Sequence, residues 1–168
     1  QPYGRGAKVD RGHIIDDASR SLDTASYLLL AKKLATKYNL IYFGEQELAV
    51  TEDTYAFKFR GDLRSWMSVI ESVDYFVGCD SVGQHMARAF DIPGTVIFGS
   101  TFPINTSYPD FFQIIEKSGQ KKYSPIRLCG LDGHLADRYN DKLMDFSEDE
   151  VHDMFLKIVK DIEAKVKK

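Results

Sequence analysis

Short apolar runs, each closely followed by glycine, alternate along this chain with stretches of helical periodicity. The runs occupy residues 40–43, 55–59, 75–77 and 95–98, and their length and composition are typical of buried strands. Strands that alternate with helices form parallel sheets whose two faces the helices cover. The pattern therefore predicts an α/β domain with a doubly wound, mainly parallel sheet.

Helices are predicted where apolar residues recur every three or four positions, over 23–37, from residue 62, from residue 81 and over 147–166. The candidate capping residues at their starts are Asp23 or Thr24, Asp62, Ser81 and Ser147. Leu63 and Val82 are expected on the buried faces of the second and third helices. A further strand is predicted over 111–115, and residues 1–8 and 100–110 are assigned to loops.

The composition limits the classes of protein to which this chain can belong. It has 168 residues, 43% of them hydrophobic, which is enough to bury one core. Its formal charge of −3 provides no net basic field for nucleic acid, and no apolar run approaches the roughly 18 residues that span a bilayer. Cys79 and Cys129 form no Cys-x-x-Cys pair that would indicate a zinc site. We expect one soluble, cytoplasmic domain.

The loops that follow the predicted strands are the candidate sites, because doubly wound sheets bind ligands at the carboxyl ends of their strands. Residues 78–85 lead from a strand into a helix, where backbone N–H groups attract anions such as diphosphate. Ser81 supplies a hydroxyl, Gly83 permits close backbone approach, and His85 supplies a ring N–H. The next loop repeats the small polar pattern with Gly99, Ser100 and Thr101.

Charged residues in the other loops supply further candidate contacts. Arg5, Lys8 and Arg20 are cations near the first helix that can neutralise a phosphate. Glu47 or Glu45, just beyond the strand at 40–43, is positioned to accept hydrogen bonds from ribose hydroxyls.

A purely structural interpretation stays open for all of these residues. Asp80 and Ser81 then cap the third helix, residues 100 and 101 bond their own backbone in a tight turn, and the charged side chains are solvated. No metal site is predicted, because the polar cluster in the C-terminal connection matches no ligand spacing. That cluster consists of His134, Asp137, Asp141 and Asp145.

Two stretches of the chain resemble the signature of a known enzyme family. One is residues 61–93, which contains Asp80-Ser-Val-Gly-Gln-His85, and the other is 96–103, Val-Ile-Phe-Gly-Ser-Thr-Phe-Pro. They are similar to the C-terminal half of the heptosyltransferase-like glycosyltransferases, glycosyltransferase family 9. The family pattern is an Asp-Ser/Thr-Gly-x-x-His loop, an Ala-rich helix and Phe-Gly-x-Thr-x-Pro.

The resemblance implies a Rossmann-like domain, the donor-binding half of a two-domain GT-B fold. It implies an inverting, metal-independent and cofactor-free transfer of sugar from an ADP-heptose-like nucleotide diphosphate sugar to a glycan or lipid-linked glycan, in lipopolysaccharide biosynthesis. The family's acidic ribose contact falls here on Glu47, or less closely on Glu45. Its diphosphate contacts fall on Asp80, Ser81, His85, Gly99, Ser100 and Thr101, with Arg20 as the basic partner.

The chain departs from the family pattern at the motif glycine, where it has Val82, with Gly83 one residue later. Residues 104–146 do not follow the family, so the sugar contacts are not assigned. The family's general base belongs to an N-terminal half that this sequence does not contain, and we therefore expect a fragment of a larger transferase. The alternatives are a stand-alone nucleotide-binding or regulatory module without catalysis, and another doubly wound phosphate-binding domain.

Overall fold

The structure is a computed structural model that describes the chain in several stretches. The described residues are 7–10, 13–16, 20–44, 54–58, 62–119, 122 and 144–166. Their strands are β1 (Ala7–Asp10), β2 (His13–Asp16), β3 (Leu40–Gly44), β4 (Thr54–Lys58), β5 (Phe76–Cys79), β6 (Gly94–Phe98) and β7 (Gln113–Glu116). Their helices are α1 (Thr24–Ala35), α2 (Leu63–Glu71), α3 (Val82–Ala89), α4 (Pro103–Thr106) and α5 (Glu148–Lys165). The predicted α/β class is confirmed.

Parallel pairing dominates the described strands. β5, β6 and β7 form a three-stranded parallel sheet in that order, with Cys79 opposite Ile97 and Phe98 opposite Glu116. β3 and β4 form a separate parallel pair, while β1 and β2 pair antiparallel. The carboxyl ends of β5, β6 and β7 therefore meet at one edge of their sheet.

Helices cover both faces of the three-stranded sheet. Successive side chains of a strand point to opposite faces, and Val96 and Ile97 of β6 accordingly belong to different buried clusters. Ile97 shares its cluster with Leu30 of α1 and Ile158 of α5, whereas Val96 shares the other with Met86 of α3. The sheet therefore lies between two helical layers.

Capping residues predict the helix starts correctly, because capping depends on only a few neighbouring residues. The Asp23 carboxylate accepts two backbone N–H groups in the first turn of α1, and Asp62 accepts one in α2 at 2.9 Å. Ser147 and Glu150 form the predicted reciprocal capping box of α5. These bonds satisfy N–H groups that a helix start otherwise leaves without partners.

Three predicted boundaries are wrong. Ala7 and Lys8 lie in β1 and not in a loop. The strand predicted over 111–115 begins only at Gln113, because the N–H groups of the two preceding phenylalanines both bond to the Tyr108 carbonyl in a turn. The loop predicted over 100–110 contains α4, which has a proline in its first turn, where the missing N–H costs no helical bond.

Two residues predicted on buried helix faces are exposed, although Ile70 and Met86 of the same predicted faces are buried. Leu63 is 57% exposed and Val82 is exposed, although both were expected to be buried. In α3, Met86 is buried as predicted, and Gly83 and Ala87 are buried beside it.

Polar side chains join α5 to the amino ends of the sheet. The Tyr75 hydroxyl donates to Asp161 of α5 at 2.6 Å and lies 2.7 Å from the Thr95 hydroxyl, which donates to Gln113 at 2.9 Å. Burial and the Asp161 carboxylate raise the pKa of Tyr75 far above its usual range, so the phenol stays protonated. Hydrogen bonds therefore reinforce the packing of α5 against all three strands.

The ion pair between Lys117 and Glu150 predicts an acid-dependent loss of stability. Lys117 Nζ lies 2.9 Å from both carboxylate oxygens of Glu150, and this contact, with the capping bonds, lowers the pKa of Glu150 below its ordinary 4.5. The stabilisation is complete above the pKa of the unfolded chain and is lost as pH falls through the lower folded value. We therefore expect the thermal midpoint of Glu150→Gln to depend less steeply on pH than that of the wild type below about pH 4.5. Circular dichroism melts test this, and parallel pH profiles would contradict it.

Candidate functional site

The candidate site lies at the carboxyl edge of the three-stranded sheet. Asp80 directly follows β5, residues 99–101 follow β6, and Glu116 ends β7. α3 starts two residues after Asp80, so its N-terminus opens at the same edge. This is the end of a parallel sheet at which α/β proteins bind their ligands.

Asp80 connects three parts of the chain. Its side chain is only 4% exposed; Thr101 Oγ1 donates to Oδ2 at 2.7 Å, and Gln84 Nε2 donates to Oδ1 at 2.9 Å. Arg20 Nη1 lies 4.0 Å from Oδ2, which is ion-pair range but beyond hydrogen-bonding distance. The structure thus brings together Arg20, Asp80 and Thr101, which the sequence had placed in three separate loops.

Ser81 occupies the N-cap position of α3 without capping it. Its backbone is extended, its side chain makes no capping hydrogen bond, and its Oγ is buried with no hydrogen-bond partner. Gly83 is buried in the first turn, and Gln84 Oε1 is also buried without a partner. The interpretation of Ser81 as a helix cap is therefore wrong, and the α3 start combines a helix dipole with unused hydrogen-bonding capacity.

The structure places His85 beside the aromatic residues that precede β7. Its Nδ1 lies 3.1 Å from the Tyr108 hydroxyl, and the two rings meet edge to face with centroids 5.7 Å apart. His85 is exposed, and its side-chain hydrogen bond and its ring contact are both with Tyr108. Tyr108 therefore sets the orientation of the His85 ring at the margin of the site.

The loop after β6 contributes mainly through Thr101. Gly99 and Ser100 are buried, and the Thr101 hydroxyl donates to Asp80 at 2.7 Å. The interpretation of Thr101 as a residue that bonds only its own backbone is therefore wrong. Its side chain joins the loop after β5 to the loop after β6, and this junction of Asp80 and Thr101 is the corner of the site.

Several predicted contacts lie outside the described residues. They are Arg5, Glu45, Glu47 and the side chain of Lys8, together with Cys129, His134, Asp137 and Asp141. Their roles stay as the sequence predicts them.

The sequence did not predict a role for three side chains at this edge: Gln84, Tyr108 and Lys122. Gln84 stands four residues after Asp80 on one side of a helix start, and that spacing favours contact. Lys122 donates to the Thr101 carbonyl oxygen at 3.2 Å and pairs with Glu116 at 2.6 Å. No local pattern identifies Lys122, since its contacts depend on where β7 ends.

A large cavity lies between β3 and β5. It has a volume of about 980 Å³ and is mostly lined by apolar side chains of α1, α5, β3 and β5, including Leu34, Leu40 and Ile162. None of the predicted contact residues that the structure describes lines it. The cavity lining and the described candidate contacts therefore do not coincide, although Gly78 of the lining stands two residues before Asp80.

The described stretches contain neither a candidate metal site nor a candidate membrane-spanning helix. They contain no group of three or more His, Cys, Asp or Glu side chains arranged to hold a metal ion. No helix in them combines the length and hydropathy needed to cross a bilayer.

Comparison with protein-family models, curated proteins and solved structures finds no match to this chain.

Proposed function

We propose that this domain binds the diphosphate of a nucleotide sugar at the N-terminus of α3 and serves as the donor-binding part of a glycosyltransferase. The observation that carries the proposal is the buried, partnerless Ser81 hydroxyl at the start of α3, beside the cluster of Arg20, Asp80 and Thr101. A phosphate oxygen that accepts from this hydroxyl would remove the cost of a buried unsatisfied group.

The electrostatics of the site favour an anion. A helix start carries a partial positive charge and backbone N–H groups without intrahelical partners. Arg20 adds a full positive charge within 4.0 Å of Asp80, and the Asp80 carboxylate is itself occupied by Gln84 and Thr101. Asp80 is thus a positioning residue that holds the corner to which the phosphate binds.

The strand pairs fit the finer, doubly wound description of the fold, which is part of this proposal. In the order 3-2-1-4-5-6, the ligand lies at the switch point beside the central strand. If β4 and β3 take the first two places and β5, β6 and β7 the last three, one strand position lies between β3 and β5. The cavity lined by Leu40 of β3 and Val77 of β5 occupies this region. Asp80, directly after β5, then lies next to the switch point.

The proposed chemistry needs little from this domain beyond charge stabilisation. As an acceptor hydroxyl attacks the sugar carbon, the bond from that carbon to the diphosphate oxygen breaks, and negative charge develops on the diphosphate. Groups that are already oriented toward that charge lower the barrier. The α3 N–H groups, Ser81 and Arg20 fill this role, while the base that takes the acceptor proton would come from another domain.

Calorimetric titration tests diphosphate binding directly. We expect pyrophosphate, ADP and UDP to bind saturably, and Ser81→Ala to weaken each by about tenfold, because one hydrogen bond to a charged oxygen is lost. The matched control is Ser68→Ala, which removes an exposed α2 hydroxyl that bonds the Arg64 carbonyl at 3.2 Å. The control should bind like the wild type.

The outcomes separate a transferase domain from a nucleotide-binding module without catalysis. If the wild type binds none of the three compounds, the site is not a diphosphate site and the proposal fails. If nucleotide sugars bind but no sugar is transferred to glycan acceptors by the chain joined to its acceptor domain, a regulatory nucleotide-binding module is favoured over a transferase.

A further inference from the structure

Lys122 is a second cation at the carboxyl edge of the sheet. Its Nζ donates to the Thr101 carbonyl oxygen at 3.2 Å and lies 2.6 Å from a carboxylate oxygen of Glu116. These two contacts hold the side chain in place, and because it is 24% exposed, it still reaches solvent. A ligand at the edge can therefore contact it.

Arg20 and Lys122 approach the same pair of residues. Arg20 lies 4.0 Å from Asp80, and the Thr101 hydroxyl donates to that carboxylate while the Thr101 carbonyl accepts from Lys122. The two cations are thus connected through Asp80 and Thr101, beside the start of α3. Two positive charges held by the same pair of residues, together with a helix N-terminus, suit a ligand with more than one phosphate.

Asp80 and Glu116, the two carboxylates in these contacts, differ in how easily each can give up its bonding partners. Asp80 is buried and accepts two hydrogen bonds from side chains, so moving it breaks the corner. The Glu116 side chain is 48% exposed, and exposed ion pairs contribute little stability because water solvates both partners. An entering phosphate can therefore displace Glu116 into water and take Lys122 as its own partner.

We infer that Lys122 binds the second phosphate of the ligand and makes the site selective for diphosphates over single phosphates. This inference rests on the proposed diphosphate site at α3. A diphosphate contacts the α3 start and Lys122 together, whereas inorganic phosphate occupies only the α3 start. Glu116 holds Lys122 in position in the unliganded protein and lowers the affinity by competing for it.

The experiment compares pyrophosphate with inorganic phosphate by calorimetric titration. We expect Lys122→Gln to weaken pyrophosphate binding about tenfold or more and phosphate binding less than about threefold, because only the longer ligand loses a charge-assisted contact. Glu116→Gln should strengthen pyrophosphate binding by about threefold. Lys160→Gln, at an exposed lysine of α5, is the matched control and should change neither affinity.

Each outcome separates Lys122 from the α3 site itself. No pyrophosphate binding by the wild type overturns the diphosphate site and the role of Lys122 with it. Wild-type binding that is unchanged in a folded Lys122→Gln variant overturns the role of Lys122 only. Equal weakening of both ligands would show a general charge effect and overturn the selectivity. Far-ultraviolet circular dichroism of each variant confirms that it is folded.

Discussion

Replacing Asp80 with alanine should lower the free energy of unfolding by about 3 kcal/mol or more. The change leaves Gln84 Nε2 and Thr101 Oγ1 without their acceptor in a buried setting, and it leaves the Arg20 guanidinium without a carboxylate 4.0 Å away. Hydrogen bonds to a charged group contribute more than neutral ones, and unpaired buried groups keep their full desolvation cost. Urea unfolding at neutral pH, followed by circular dichroism, measures the loss.

Two further variants show whether this loss comes from the corner that Asp80 builds. Asp80→Asn keeps an oxygen for Gln84 and a polar group beside Thr101, so its loss should be less than half that of the alanine variant. Asp110→Ala removes an exposed carboxylate and should stay within about 0.5 kcal/mol of the wild type. An Asp80→Ala variant as stable as Asp110→Ala would contradict the assignment of Asp80 as a buried anchor.

The contact between Asp80 and Thr101 could be predicted from the sequence because it depends on strand order. The residues stand 21 positions apart, yet each follows one of two adjacent parallel strands. The apolar runs at β5 and β6 are distinct enough to place both loops at one edge. Helix starts were predictable for a different reason, since the caps at Asp23, Asp62 and Ser147 act within a few residues.

The residues that were missed depend on contacts that no short window contains. Helical periodicity shows that one face of α3 is buried, but packing decides that Met86 and Ala87 face the core while Val82 faces solvent. Lys122 was missed because the predicted end of the last strand was one residue short and gave no role to Glu116. The four-residue strands β1 and β2 carry too few apolar side chains to produce a clear alternation.

Replacing Gly94 with alanine should lower the free energy of unfolding by about 2 to 3 kcal/mol. Gly94 begins β6 directly opposite Phe76, and an added Cβ would lie 2.5 Å from the Phe76 carbonyl oxygen and 3.0 Å from its Cβ. The nearest obstacle is backbone, which cannot rotate away as a side chain does. The strands must therefore separate locally, which strains the hydrogen bond from Phe76 N–H to the Pro93 carbonyl, now 2.9 Å long.

Gly119→Ala is the matched control, because it adds the same methyl group at a glycine with a different constraint. Gly119 has φ of +76° and no neighbouring atom within 4 Å of the added Cβ, so only backbone strain of about 1 kcal/mol is expected. Urea midpoints of both variants at equal denaturant slope give the comparison. If Gly94→Ala is no less stable than Gly119→Ala, the close approach of β5 and β6 at Phe76 is wrong. The register that brings Asp80 to Thr101 would then need revision, because both contacts depend on the same strand pair.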